Sequence, residues 1–514
     1  MSTTEPAPAS TPDTTPWLPL SVNARGIYLA AAIDPTNPCY NTAELLECPV
    51  GTNLDTLRQA LRHLYEENEG FRVRTRLHAG RAEQQVLGLD EFLENHEFLE
   101  NIELLPVPEN PHEEEPDSEP VPAMVRAWAS SLIAEPLNPD AGITVRSRVA
   151  FYADRLWVYH SFHHVVADGF AAFNGLSRIA SIYRALSSGH PVPPVSRASL
   201  AELIAADNAA EPARASDCEY WTAGEGAAAL EQPDTSLAAR TAAPAPRALR
   251  ASLPIPNTVQ QNMLAAAKKY GASWPVAATA AIGAYLGRIG GYDTAAFGIP
   301  QMNRMFGPTL PAPTRALGKT SANTGTTAVN VLPVQVPSLG SIAAALSSVK
   351  DQFARNTQHP LARQEDLERA AARNDSRLFG AQINIVPFDA VLTLGVPTPG
   401  TDELPGAPAP VARIHNVSAG PVADMTVTLR GMPGRGNPIY LELDANPNLY
   451  TMEQVQAHAR HMGAWLENWA TAATNELSLE AITTALPTEL ETIDAFNSTG
   501  HHIEYKPLLQ RFTD

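Results

Sequence analysis

The segment His163-His164-Val165-Val166-Ala167-Asp168-Gly169 holds the densest chemistry in the chain. Two histidines, an aspartate and a glycine at these offsets arise by chance in a chain of this size only about once in a thousand. An imidazole that titrates near neutrality can move a proton or hydrogen-bond a nucleophile, which suits acyl transfer. Successive residues at a strand end point to opposite sides, so one of the two histidines faces a given cleft. Asp168 can lock the turn or pair with an arginine, and Gly169 lets the chain enter a helix without steric cost. Three other readings compete. The histidines could be a satisfied structural pair. His164 and Asp168 stand four apart, as metal ligands can, but no HExxH and no nearby Cys or His completes the set that zinc takes. A serine hydrolase would need a GxSxG elbow, and none occurs.

A strand must deliver this motif and a helix must follow it. Ile143–Tyr152 and Leu156–Phe162 read as strands. After the motif, Phe170, Phe173, Leu176, Ile179, Ile182, Tyr183 and Leu186 recur at helical steps, and Gly189 and Pro191 end the pattern. Upstream, Leu54, Leu57, Leu61, Leu64 and Tyr65 mark a helix over 53–69, and a shorter amphipathic stretch covers 125–133. SGHPVPP at 188–194 reads as a hinge. Helices are then expected over 258–270, 275–289 and 452–472. Strands are expected over 295–303, 328–336, 381–387, 425–429 and 439–443. This gives a tail at 1–16, a lobe at 17–187 carrying the motif, a second lobe at 188–485, and a polar linker at 486–514. Each lobe mixes α and β without the strict alternation of a doubly wound sheet.

Composition bounds the function. The 514 residues include 36 basic and 55 acidic side chains, a net of −19, which disfavours a phosphate backbone or an anionic membrane surface as partner. Three cysteines without a CxxC pair fit no disulfide framework or zinc ribbon, and point to a reducing cytoplasm. No apolar run reaches membrane-spanning length. The Pro/Glu-rich run at 106–122 reads as a solvated acidic loop.

The motif resembles the HHxxxDG signature of condensation domains of nonribosomal peptide synthetases, within the chloramphenicol-acetyltransferase-like superfamily. The resemblance extends along the chain. Leu18-Pro19-Leu20-Ser21, with Asp34-Pro35 and Pro38-Cys39-Tyr40-Asn41, is similar to the family's opening motif. Asn68-Glu69-Gly70-Phe71-Arg72 is similar to its HEALR segment, with Asn for the usual His. Phe297-Gly298-Ile299-Pro300 with Asn303-Arg304 resembles its GxPxxxR element, and Asn330-Val331-Leu332-Pro333 its NxLP strand, with Gln335 where an arginine is common. Leu378–Phe388, Gly420-Pro421-Val422-Ala423-Asp424 and Leu443–Tyr450 most resemble the N-terminal condensation domains of enterobactin-type siderophore synthetases. Phe496-Asn497-Ser498-Thr499 is similar to the linker into an adenylation domain.

The resemblance implies an α/β (α+β) fold: a V-shaped pseudo-dimer of two acetyltransferase-like lobes with an active-site tunnel between them. It implies amide formation between a donor thioester and the amine of an acceptor aminoacyl thioester, both on phosphopantetheine arms of carrier proteins. His164 would sit at the tunnel centre, accepting the amine proton or positioning the amine. His163 would be structural, and Gly169 would turn its N–H toward the thioester carbonyl. Asp168 would hold the loop through an ion pair with Arg72, and Asn330 would line the tunnel or satisfy backbone groups. No bound cofactor or metal is implied. Carrier proteins and a downstream adenylation domain are the implied partners, with no nucleic acid and no membrane, and a monomer is expected. No carrier attachment site or nucleotide-binding motif appears, so the chain reads as a piece of a longer synthetase receiving its donor in trans. An aryl donor is compatible by analogy with the siderophore group. Two alternatives stay open: a non-condensing relative that recruits carriers or tailoring enzymes, and a free-standing coenzyme A-dependent acyltransferase.

Overall fold

The computed structural model describes residues 15–498, except 95, 97–98, 100, 108–120, 232–234, 239–240, 305–321, 372–377, 389–390, 396–409, 419 and 435–437. Most of the acidic run at 106–122, most of the 1–16 tail and the end of the 486–514 linker therefore lie outside the described residues. Two six-stranded sheets, each with its own helices, make two lobes.

In the N-terminal lobe the sheet runs Ile102–Leu104, Val145–Tyr152, Arg155–His163, Asn41–Cys48, Val411–Asn416 and Val391–Thr393. Only the Ile102–Leu104 pairing is parallel. One face packs on Leu54–Glu66 and Gly169–Ser187, the two helices read from spacing. Leu54–Glu66 begins where Asn53 accepts the Thr56 N–H at 2.8 Å, and it buries Leu57, Ala60, Leu61, Leu64 and Tyr65 on one stripe. The other face packs on Ala123–Ile133, with Trp128 and Tyr159 meeting edge to face.

The C-terminal lobe orders its sheet Val329–Pro337, Thr294–Met302, Ala381–Val386, Met425–Arg430, Ile439–Ala445 and Leu249–Ile255. Its core helix Trp274–Gly290 is buried almost all round, which small side chains permit. A Cβ on Gly283 would lie 2.6 Å from Val336, so glycine is needed for helix and sheet to approach this closely. The long helix Met452–Thr474 crosses the same face, and Trp465 donates its indole N–H to the Ala281 carbonyl at 2.8 Å.

One expectation is corrected. The lobes do not divide at 188, because Val391–Thr393 and Val411–Asn416 leave the second half and extend the first lobe's sheet. Leu392, Leu394 and Ala412 are buried in that first core. The segment covers what would otherwise be a bare edge along Asn41–Cys48. The stretch from Leu486, read as a polar linker, opens as a helix, Pro487–Asn497, held to the second lobe by Glu489 against His461 at 2.9 Å.

Candidate active site

The motif sits where the N-terminal lobe meets segments of the C-terminal one. Arg155–His163 ends at His163, whose N–H bonds the Thr144 carbonyl at 2.8 Å. The chain then turns, and the His164 N–H bonds the Tyr40 carbonyl at 2.8 Å. The alternation read from sequence holds: the two imidazoles go to different places. His163 is buried, accepts the Val165 N–H on Nδ1 at 3.2 Å, and lies against the Tyr40 ring. Burial pushes its pKa down to about 3, so it is neutral in the folded protein.

His164 keeps partial exposure. Among the described residues its buried Nδ1 has no hydrogen-bond partner, and Nε2 has none either and is reached by solvent. Burial holds the imidazole below its ordinary pKa, against a weaker upward pull from its own backbone and from the Asp168 charge. A neutral imidazole with an open edge can accept a proton or a hydrogen bond. Gly420 abuts it from the other lobe's segment: a Cβ there would lie 3.8 Å from His164 Cδ2. Gly420 also lines a cavity of about 230 Å³ between the lobes, whose walls include Pro38 and Cys39.

Asp168 caps the helix Gly169–Ser187, accepting the Ala171 N–H at 2.9 Å. Its ion-pair partner is Arg304 at 2.6 Å, and its second oxygen accepts the Ala328 N–H at 2.8 Å. Burial alone would raise this carboxyl; the Arg304 guanidinium and the two backbone N–H groups outweigh it and hold the pKa below the usual range. Asp168 therefore fastens the motif to the C-terminal lobe and makes no hydrogen bond to His164.

The expected Asp168–Arg72 pair does not form. Arg72 follows the short turn Glu69–Phe71 and donates instead to the carbonyls of Tyr65 and Leu87, closing the end of the hairpin Val73–Val86. Arg304, the arginine of the GxPxxxR-like element, takes its place, fully buried and also bonded to the Thr326 carbonyl at 2.9 Å. The Asn330 amide donates to the carbonyls of Pro360 at 3.0 Å and Ala362 at 2.7 Å, while its Oδ1 is buried without a partner among the described residues. Gly169 is the first residue of the motif helix, exposed, with no acceptor on its N–H and open space where a Cβ would stand. Asn68, in the place of the usual His, accepts the Gly325 N–H at 2.9 Å and so joins the lobes. Sequence reasoning passed over Tyr40 and Gly420 as site residues; both lay within quoted motifs, and only the fold brings them to His164.

Among the described residues no group of His, Cys, Asp and Glu could hold a metal ion, and no helix is long and apolar enough to cross a membrane.

The family model for the condensation domain matches residues 17–490. The chain is 27% identical over 494 residues to a dimodular nonribosomal peptide synthase of Bacillus subtilis, covering 92% of this chain and 18% of that protein. It is 28% identical to an isonitrile lipopeptide synthase of Streptomyces coeruleorubidus, covering 89% and 29% respectively. Enterobactin synthase component F of Shigella flexneri is 24% identical over 394 residues, covering 72% and 28%, so the siderophore likeness is one among several. The chain thus spans under a third of each of these relatives. The starter condensation domain of rhizomide synthetase, solved with C8-CoA and Leu-SNAC, superposes with a TM-score of 0.74 at 21% identity, covering 91% of this chain and 96% of that one. The chain belongs to the condensation-domain family of nonribosomal peptide synthetases, whose members join acyl groups to amines in amide bonds.

Proposed function

We propose that this chain condenses two carrier-bound substrates at His164. The acceptor amine attacks the donor thioester carbonyl; a C–N bond forms, the C–S bond breaks, the amine loses a proton and the departing thiolate gains one. His164 either takes that amine proton or holds the amine in line, and both roles require the neutral imidazole that burial favours. The observation that supports this reading is the contrast within the pair: His163 is spent on local structure, whereas His164 keeps an unpartnered edge at the lobe junction. The free N–H of Gly169, at a helix N-terminus, suits a developing oxyanion. Asp168 and Arg304 position the motif without touching the reacting atoms. The substrates arrive on phosphopantetheine arms of a donor and an acceptor carrier protein, a downstream adenylation domain belongs to the same synthetase, and no resident cofactor is needed. The chain acts as a monomer in the cytoplasm.

The test is reconstitution with two loaded carrier proteins and detection of the amide product by mass spectrometry. His164→Ala is expected to lower the rate by about 100-fold or more with the melting transition unchanged. Wild-type rates in that variant would overturn the assignment. Because either role needs the neutral ring, the rate is expected to fall in acid as His164 is protonated, and a flat profile would count against both.

A further inference from the structure

The cavity beside His164 is walled by both apolar and charged side chains, and among the described residues that line it arginines outnumber carboxylates. Arg126, Arg247, Arg250 and Arg430 line it, against the carboxylates of Glu442 and Asp444. These arginines are not equally engaged. Arg250 is saturated: Nε and Nη2 fork onto Asp444 at 2.7 and 2.9 Å, and Nη1 donates to the Asn416 carbonyl at 2.8 Å. Arg430 gives only its Nε–H to Glu442, at 3.1 and 3.3 Å. Arg247 gives one Nη2–H to the Ser130 hydroxyl at 2.9 Å. Among the described residues neither donates a further hydrogen bond; the Arg430 charge also acts on Glu44 and Asp444, and Arg247 is exposed. Two guanidinium groups therefore offer unused N–H donors to the cavity. His415, also on its wall, is committed to Glu47 at 3.2 Å.

Location links the cavity to the reaction. Gly420 belongs to its lining and abuts the His164 ring, and Cys39 precedes the Tyr40 carbonyl that fixes the His164 backbone. A group attached close to the reacting carbonyl can reach this space. An unbranched apolar acyl group would leave the donors unpaired and desolvated, a costly arrangement. A planar carboxylate matches the fork of a guanidinium and neutralises the surplus charge.

We infer that this cavity is the compartment for one substrate's distal group, and that this group carries a carboxylate recognised by Arg430 and Arg247. The inference rests on the reading that substrates meet at His164. The phosphate of the carrier arm offers similar charge, but it lies at the far end of the arm from the thioester, so the substrate is the source that the position favours.

Isothermal titration calorimetry on the whole chain tests this with S-glutaryl- and S-succinyl-N-acetylcysteamine, each against its neutral methyl ester. At least one acid is expected to bind 10-fold or more tighter than its ester. Arg247→Gln, whose loss breaks only one bond to a serine, is expected to reduce that preference at least 3-fold, and Arg430→Gln at least 5-fold, with Arg430→Lys retaining part of it. Equal affinities for acid and ester, no measurable binding of either, or a preference untouched by both glutamine variants would each overturn the inference. Binding of phosphopantetheine that depends on Arg430, without acid preference among the thioesters, would assign the cavity to the arm and overturn it as well. Because the readout is binding, His164→Ala should leave the acid preference intact. If that variant instead condensed carriers at the wild-type rate, the catalytic reading would fail while the cavity result stood.

Discussion

The two lobes have sheets of equal strand number but unlike completeness. The C-terminal sheet draws all six strands from residues 249–445 and buries an apolar interior between itself and the helices Trp274–Gly290 and Met452–Thr474. The N-terminal sheet borrows two strands from residues 391–416, its motif is fastened by Arg304 and Ala328 of the other half, and Gly325 of that half holds Asn68. Polar groups hold this seam: a buried aspartate on a buried arginine, and an asparagine on a backbone N–H. The difference teaches that the motif-bearing lobe is finished by the lobe that carries no motif. The position of His164 thus depends on contacts with residues far away in sequence.

The strongest way to break that comparison is to cut the seam. Arg304→Met removes the partner of a carboxylate that is almost wholly enclosed, leaving Asp168 buried and unpaired, which costs about 3–5 kcal/mol. Denaturant unfolding should show that loss, with hydrogen exchange rising first around 164–172 and 322–328. The double variant Asp168→Asn with Arg304→Met should recover part of it, since no lone charge then remains buried. If Arg304→Met proved as stable as wild type, the seam would be packing alone.

Much of this architecture was legible because it is periodic. The helix Leu54–Glu66 and the motif helix declare themselves through spacing and through Asn53 and Asp168 as caps. Five of the six strands of the second lobe were read within two residues of their bounds, whereas Leu249–Ile255 was not read as a strand. What was illegible is long-range. Val391–Thr393 is three residues long and Val411–Asn416 alternates weakly, so nothing local says which sheet they join. Asp168 requires a cation, and several arginines could have supplied it. Arg72 is nearer in sequence and lies in a quoted motif, but its guanidinium is consumed by two carbonyls at a hairpin end. Side-chain direction, not residue type, decided between it and Arg304. Asn330 was ambiguous for the same reason.

Acid should sharpen the contrast next. Burial lowers the imidazoles of His96, His160, His163 and His164, all in the N-terminal lobe; among the described residues of the C-terminal lobe only His458 is lowered. For His160 and His163 the folded value is about 3, against about 6.5 for a free histidine. Below neutrality the unfolded chain binds these protons and the folded chain does not. The stability is therefore complete above about pH 6.5 and is lost as pH falls from there toward 3. At pH 5 the loss is about 2 kcal/mol per histidine. Hydrogen exchange at pH 5 should show the N-terminal sheet opening before the C-terminal one. His160→Phe, at a site already walled by Tyr65 and Phe162, should flatten the dependence. Simultaneous loss of both lobes would mean that the seam couples them more tightly than their separate cores suggest.

The smallest effect probes the point where the borrowed segment touches the site. Gly420 has φ +71°, a left-handed conformation that costs a residue with a Cβ about 1–2 kcal/mol. Space does not forbid alanine there, since its Cβ would stand in ordinary contact with His164 Cδ2 at 3.8 Å. Gly420→Ala should therefore lose about 1 kcal/mol in denaturant unfolding, through backbone strain alone. Its effect on amide formation depends on whether the borrowed segment sets the His164 ring. If it does, the strained backbone shifts and the rate falls several-fold beyond what the stability loss explains, with the pH dependence of the reaction displaced. If Tyr40 and the strand end suffice to place the ring, the rate stays near wild type at temperatures where the variant is folded. The first outcome makes the C-terminal half a participant in positioning the imidazole; the second confines its role to holding the lobe closed.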